Sequence, residues 1–321
     1  MTAVESTDSA ALAPVAVRAL PATDDLSFDL YLWPKRGPAR LMLARHNPLS
    51  RERIGRLLER GIETLYVCTH EADRYRDLLT ERFVKDESRP PAERLLMLRE
   101  AMKNAFTDAF RRSQVQHMVQ AAESYASQLA SIVYGSDLLV ADLVGVMAHD
   151  YSIFTHATNV ATYAVLLAGE LGIHEPEDVV AIAQGGLLHD LGKRFIGRAV
   201  LDKRERLTAE DRECIKEHPR TGFAQLCRRE DLNWGQLMMV YQHHERWDGR
   251  GYPVGTHAAE IHEWARISAV VDVYDALTRN RPYRKAASNA DVLAYLDQEA
   301  GRGFDEEVVE CWIRAITKTK C

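Results

Sequence analysis

The spacing of apolar positions changes along this chain, and the changes divide it. Residues 1–24 are rich in Ala, Ser, Thr and Pro with isolated acids, which predicts a mobile tail. Phe28–Trp33 and Arg40–Ala44 read as short strands joined by a turn through Lys35-Arg36-Gly37-Pro38. Ser50 is placed to cap a helix over Arg51–Arg60 and Gly61 to end it, and Ile62–Val67 reads as a third strand. Residues 25–88 are therefore expected to form a small β-β-α-β domain for regulation or sensing. It holds no cluster of catalytic side chains.

Residues 84–91 are polar and end in Pro90-Pro91, a boundary signal. From Ala92 the period becomes helical: Met102, Phe106 and Phe110 recur every fourth residue, as do Ala121, Tyr125 and Leu129. The helices of 89–121 either connect the domains or pair with a second copy as a homodimer; an apolar stripe is more often simple core. The rest, 122–321, is almost wholly helical. Expected helices are Ser152–Leu171 ended by Gly172, and Pro176–Leu191 ended by Gly192. One capped by Thr208 with Asp211 runs to His218-Pro219, and one capped by Asn233 delivers His243 and His244 near its end. Trp264–Thr278, a helix capped by Ser288, and Asp305–Ile316 complete the set.

Composition narrows the class. The 321 residues suggest about two domains, 46% are hydrophobic and 27% charged, as in a soluble globular protein. A net charge of −6 argues against binding a nucleic-acid polymer through a basic surface, so an anionic substrate must meet a local positive site. Cys68, Cys214, Cys227, Cys311 and Cys321 are scattered without a Cys-x-x-Cys pair, which reads as reduced and cytoplasmic. No apolar run is long enough to insert in a membrane, and the N-terminus has no signal-peptide pattern.

Chemistry concentrates in His243–Pro253, which reads His-His-Glu-Arg-Trp-Asp-Gly-Arg-Gly-Tyr-Pro. Two adjacent imidazoles beside acids are unusual for a surface loop, and neutral imidazole is a common transition-metal ligand. Partners appear elsewhere. Leu187–Lys193 puts His189-Asp190 at the end of an apolar helix, where adjacent side chains diverge by about 100° and can face different ions. His156 lies on the preceding helix and His218 ends the capped one. Asp272 interrupts an apolar helix, where a carboxylate needs a cation or a hydrogen-bonding partner. Asp275, one turn on, is placed to support such a site from behind. A lone histidine is more often structural than ligating; the ordered set is harder to explain that way.

His189–Lys193, His218-Pro219, His243–Pro253, Asp272–Leu277 and Arg281-Pro282-Tyr283-Arg284 together resemble the HD-GYP family, cyclic di-GMP phosphodiesterases within the HD phosphohydrolase superfamily. The resemblance covers residues from about 122 to the end. It implies a mainly α fold: a helical HD-type metal-dependent phosphohydrolase domain preceded by a small α+β N-terminal domain. By the family pattern, His156, His189, Asp190, His218, His243, His244 and Asp272 are metal ligands, with Asp190 bridging and catalytic and Asp275 behind them. Nitrogen and oxygen donors without thiolate favour two iron or manganese ions, with zinc, nickel and cobalt left open. Lys193 would offset charge on the scissile phosphate, Gly251 and Tyr252 would lie beside the guanine, and Arg281 and Arg284 would hold phosphates in bidentate fashion. Asp150 matches a substrate-side aspartate, while its neighbour His149 lacks the Gly-Lys that follows the HD pair and carries no role. Ser152 stands where some members place a third-metal glutamate, which implies a two-metal centre.

The resemblance implies hydrolysis of cyclic di-GMP to linear pGpG, with onward hydrolysis to GMP left open, in bacterial signalling that shifts the balance between biofilm and motility. Two alternatives stay open: a catalytically weak cyclic-dinucleotide receptor or interaction module with signalling-protein partners, and an HD phosphohydrolase acting on another nucleotide.

Overall fold

A computed structural model describes residues 12–23, 25–34, 37–111, 114–135, 153–201, 203, 205–280 and 285–318. The chain divides into two compact units, 1–114 and 115–321. Among the described residues no helix is long and apolar enough to cross a membrane.

The first unit is a four-stranded sheet with helices. Strands β1 (Leu12–Ala16), β2 (Leu30–Leu32), β3 (Arg40–Leu43) and β4 (Thr64–Cys68) lie in the order β1-β4-β2-β3, every pair antiparallel. Helix α1 (Arg51–Glu59) begins where the Ser50 hydroxyl accepts from Arg53 N–H. Strand β1 corrects the expectation of a mobile tail over 1–24 for its described part, 12–23. Leu12–Ala16 pair along their length with Thr64–Cys68, and Leu12, Val15 and Val17 are buried. A strand containing Pro14 is tolerated because β1 is an edge, where one side of the ladder needs no donor. Helices α2 (Ala72–Leu79) and α3 (Pro91–Arg111) complete this unit, and α3 packs on β1 and α2. Asn104 of α3 donates to the Pro14 carbonyl at 3.1 Å and accepts from Arg76 of α2 at 2.7 Å.

The second unit is helical: α4 (Val115–Tyr134), α5 (Ile153–Glu170), α6 (Pro176–Leu188), the short α7 (Arg198–Leu201), α8 (Ala209–Lys216), α9 (His218–Leu226), α10 (Trp234–Gln242), α11 (Glu263–Thr278), α12 (Asn289–Gln298) and α13 (Glu306–Thr317). The segment 89–121, expected to connect domains, is shared between the units: α3 belongs to the first and α4 packs on α6 in the second. A mainly α domain preceded by a small α+β domain is thus what the chain forms. Thr208, Asn233 and Ser288 cap α8, α10 and α12 through accepted backbone N–H bonds.

Two helix ends differ from the sequence expectation, and both differences place site residues. Helix α6 stops at Leu188, not Leu191, and Asp190 leaves helical geometry with φ −95° and ψ 10°. Just beyond this end the chain passes close to His218, where a Cβ at Gly192 would lie 1.9 Å from the His218 carbonyl oxygen. His218 begins α9 instead of ending α8, because Pro219 suits a first helical turn and not a helix interior. Tyr163 of α5, Tyr274 of α11 and Trp312 of α13 form an edge-to-face trio with centroids 5.0–5.6 Å apart. All three are buried, which fixes the helix carrying Asp272 against the helix carrying His156.

Candidate metal centre

Five buried or half-buried histidines and two buried aspartates converge from α5, α6, α9, α10 and α11. They form two sets whose donor atoms lie within 4.8 Å of one another: His156, His189 and Asp272 in one, Asp190, His218, His243 and His244 in the other. Asp190 joins them. Its Oδ2 lies 3.4 Å from His189 Nε2 and 3.7 Å from His156 Nε2, while its Oδ1 lies 3.2 Å from His218 Nε2 and 3.8 Å from His243 Nε2.

The backbone sets which nitrogen each ring turns inward. His189 Nδ1 lies 2.7 Å from the Gly186 carbonyl, His218 Nδ1 2.7 Å from that of Ile215, and His243 Nδ1 3.0 Å from that of Met239. A carbonyl can only accept, so each Nδ1 carries the proton and each Nε2 presents a lone pair. His156 is held differently. Its Nδ1 lies 2.7 Å from Asp275 Oδ2 and its Nε2 2.9 Å from Asp272 Oδ1. Asp275 is itself fixed by Asn159, which donates at 2.6 Å, and by Arg279 at 3.2 Å.

Electrostatics follow this geometry. Burial pulls His156 down, but the bonds to Asp272 and Asp275 outweigh it and leave its pKa at about 9. Burial, with the neighbouring imidazoles, holds His243 well below the usual range, and burial takes His244 down to about 3. Burial pushes Asp190 and Asp272 up, yet Lys193 and His189 around the first and His156 around the second hold both well below the usual carboxylate range. The neutral imidazoles of His243 and His244 beside the ionised carboxylates of Asp190 and Asp272 are a donor set for cations.

The fit to a metal is tested by what the protein leaves unpaired. His189 Nε2 and Asp190 Oδ1 are buried without a hydrogen bond, and His218 Nε2 faces His243 Nε2 at 3.1 Å. Two lone pairs at that distance repel unless a cation lies between them, and a buried orphan acceptor costs about 1–3 kcal/mol. Both sets can hold divalent metal ions. A third set, Cys68, His70 and Glu71, lies in the first unit. There the Glu71 carboxylate is already occupied by Arg45 at 3.3 Å and Arg74 at 3.4 Å.

Lys193 Nζ donates to Asp190 Oδ2 at 2.5 Å, so its ammonium sits at the carboxylate shared by the two sets. The loop after α10 brings Tyr252 against His244, with ring centroids 4.7 Å apart and planes 31° apart. Gly251 is required by space, since a Cβ would lie 2.4 Å from Arg246 N and Glu245 Cα. Asp150, Ser152, Arg281 and Arg284, and with them His149, lie outside the described residues.

Sequence reasoning assigned no role to Glu245, and the structure gives it one. Its buried carboxylate accepts N–H bonds from Val254 at 2.8 Å, Gly255 at 3.0 Å and Thr256 at 3.1 Å, fixing the loop that presents Tyr252. The available signal was an acid directly before a Gly-rich stretch rich in backbone donors. Asn159, which locks Asp275, was signalled by its place one turn after His156 on the same helix.

Comparison with known proteins agrees with this geometry. The family model described as HD domain matches residues 143–308. A cyclic di-GMP phosphodiesterase response regulator of Xanthomonas campestris is 41% identical over 153 residues, 47% of this chain and 40% of that protein. A cyclic di-GMP phosphodiesterase of Pseudomonas aeruginosa is 30% identical over 218 residues, 67% of this chain and 52% of that protein. The match therefore spans about half the length of these curated relatives. A solved HDG"Y"P protein from Bdellovibrio bacteriovorus shares the fold at a TM-score of 0.72 and 19% identity, covering 94% of this chain and 98% of that one. With the family model covering more than half of its length, this chain belongs to the HD domain family.

Proposed function

We propose that this chain is a metal-dependent phosphodiesterase that hydrolyses cyclic di-GMP to linear pGpG, and to GMP where the second bond is also cut. The observation that carries the reading is Asp190, whose two oxygens address two separate histidine sets. His156, His189, Asp190 and Asp272 would hold one divalent ion, and Asp190, His218, His243 and His244 the other, with iron or manganese favoured by the nitrogen–oxygen donors. Such a pair supplies an activated water and offsets charge on the phosphodiester.

The protein's own residues do the rest. Asp275 and the Gly186, Ile215 and Met239 carbonyls orient the rings, so the ligand lone pairs are preorganised. The Lys193 side chain is 22% exposed, so its ammonium can turn from Asp190 to a substrate phosphate and stabilise charge there. Tyr252, next to Gly251, would offer an aromatic face to a guanine, while Arg281, Arg284 and Asp150 would complete the substrate side.

Matching relatives are named for two substrates. Beside those named for cyclic di-GMP, the 3'3'-cGAMP-specific phosphodiesterase 1 of Vibrio cholerae is 34% identical over 165 residues. Selectivity among cyclic dinucleotides is thus the second reading. The test is anaerobic incubation of the metal-loaded protein with cyclic di-GMP, 3'3'-cGAMP and cyclic di-AMP, separating products by chromatography. Accumulation of pGpG from cyclic di-GMP supports the proposal. Preferential cleavage of 3'3'-cGAMP moves the substrate to the second reading, and no cleavage of any overturns the enzyme.

A further inference from the structure

The loop that carries Tyr252 is fastened from a distant part of the chain. Trp247 N–H donates to the Gly303 carbonyl at 3.2 Å and Asp248 N–H to the Arg302 carbonyl at 2.8 Å. Arg246 adds side-chain bonds: its Nη2 lies 3.0 Å from Asp248 Oδ2 and 2.9 Å from Glu299 Oε2, and its Nε donates to Asp248 Oδ1 at 3.1 Å. One guanidinium therefore ties the first residues of the loop to the turn 299–304 between α12 and α13. Space in that turn is matched to the pair. A Cβ at Gly303 would lie 2.7 Å from Glu299 Oε2 and 3.0 Å from Arg246 Nη1. The Glu299 side chain is 15% exposed, so this pair is shielded far more than a surface ion pair.

The fastening acts on the aromatic residue through short backbone links. Asp248 Oδ1 accepts from Arg250 N–H at 3.1 Å, Gly249 N–H donates to the Arg246 carbonyl at 2.9 Å, and Tyr252 N–H donates to the His244 carbonyl at 3.2 Å. Between the His244 anchor on one side and the Arg246–Glu299 anchor on the other, the backbone has few remaining freedoms. None of the seven candidate metal ligands lies in α12, α13 or their turn.

We propose that the turn 299–304 is a positioning element for the substrate loop, with Arg246 and Glu299 as positioning residues that hold Tyr252 in its ligand-ready place. The proposal rests on the cyclic-dinucleotide phosphodiesterase reading for its kinetic consequence, but its structural part is independent of that reading. Substrates that engage only the metal centre should not feel the clasp, whereas a cyclic dinucleotide lying against Tyr252 should.

The experiment uses the full metal-loaded chain and the variants Glu299→Ala, Arg246→Ala and Arg246→Lys. Three quantities are measured: steady-state kinetics on cyclic di-GMP, hydrolysis of bis(p-nitrophenyl) phosphate, and amide hydrogen exchange across residues 246–256. The expected result for Glu299→Ala and Arg246→Ala is a KM for cyclic di-GMP raised about ten-fold with kcat within about two-fold, the pattern of lost binding. Hydrolysis of the small diester and metal content stay at the wild-type level, exchange at Arg250–Tyr252 quickens, and Arg246→Lys recovers part of the KM. Unchanged exchange in the loop overturns the proposal, as does parallel loss of both activities and metal, which would make the turn a general support of the fold. A wild-type protein inert on cyclic di-GMP whose loop still loosens on Glu299→Ala removes the phosphodiesterase reading and leaves the clasp standing.

Discussion

His218 and His243 point bare Nε2 atoms at each other across 3.1 Å, each with its Nδ1 proton committed to a helix carbonyl. Neither ring can relieve the contact by exchanging tautomers without turning a bare Nδ1 toward a carbonyl oxygen. Asp190 Oδ1 lies 3.2 Å from the first and 3.8 Å from the second, which places negative charge where a shared cation would sit.

Removing that charge should empty the centre. Asp190→Ala is expected to lose most bound metal and all measurable hydrolysis, because both histidine sets lose their common carboxylate. Elemental analysis beside a turnover assay checks this. A variant with full metal content and normal turnover would refute the bridging role.

Lys193 separates charge stabilisation from metal retention. Its ammonium lies at Asp190 Oδ2 and is a poor metal ligand when protonated. Lys193→Ala should keep the metals and lose about 100-fold in kcat, the scale of one lost charge-stabilising donor. Equal loss of metal and rate would make the lysine a structural partner of Asp190.

Much of this was legible in the sequence, for physical reasons that differ by element. His189-Asp190 and Asp272 stood out because charge in or at the end of an apolar helix needs an explanation, and His243-His244 because paired imidazoles beside acids are unusual in a surface loop. The caps at Ser50, Thr208, Asn233 and Ser288 were readable because capping is local chemistry. Strand β1 was not, because Leu12–Ala16 holds a proline and takes its strand state from pairing with the distant strand Thr64–Cys68. The close approach of Gly192 to the backbone of His218 was hidden likewise, since it is a contact between residues far apart in the sequence. Glu245 was visible as a residue but not as a role, because its partners are backbone amides that no side-chain pattern reveals.

That role gives a stability prediction. Glu245→Ala leaves three loop N–H groups without their acceptor, and charge-assisted bonds contribute about 1.5–3 kcal/mol each before relaxation and water replace part of them. The expected net loss is about 2 kcal/mol in urea unfolding, with a raised KM for cyclic di-GMP. Glu245→Gln, which keeps one acceptor oxygen, should recover part of both. Wild-type stability and KM in Glu245→Ala would mean that the loop holds its shape without the carboxylate.

Arg281 and Arg284 follow the Asp272 helix in the sequence and are proposed to contact the substrate phosphates. Arg281→Ala and Arg284→Ala should each weaken cyclic di-GMP binding by about one to two decades, the worth of a charged hydrogen bond to phosphate. Calorimetry on a metal-loaded, inactive variant reads this directly, with metal content unchanged. Unaltered affinity would return the pair to ordinary surface charge.

A two-metal centre sharing Asp190 is the proposal for this site, and Ser152, where a third-metal carboxylate would otherwise be expected, fits two ions. Its most direct measurement is anomalous diffraction from crystals of the protein loaded with excess manganese or iron. Two full-occupancy peaks per chain are expected, one among His156, His189 and Asp272 and one among His218, His243 and His244, both in contact with Asp190. A single peak, or a third beside Ser152, would contradict it.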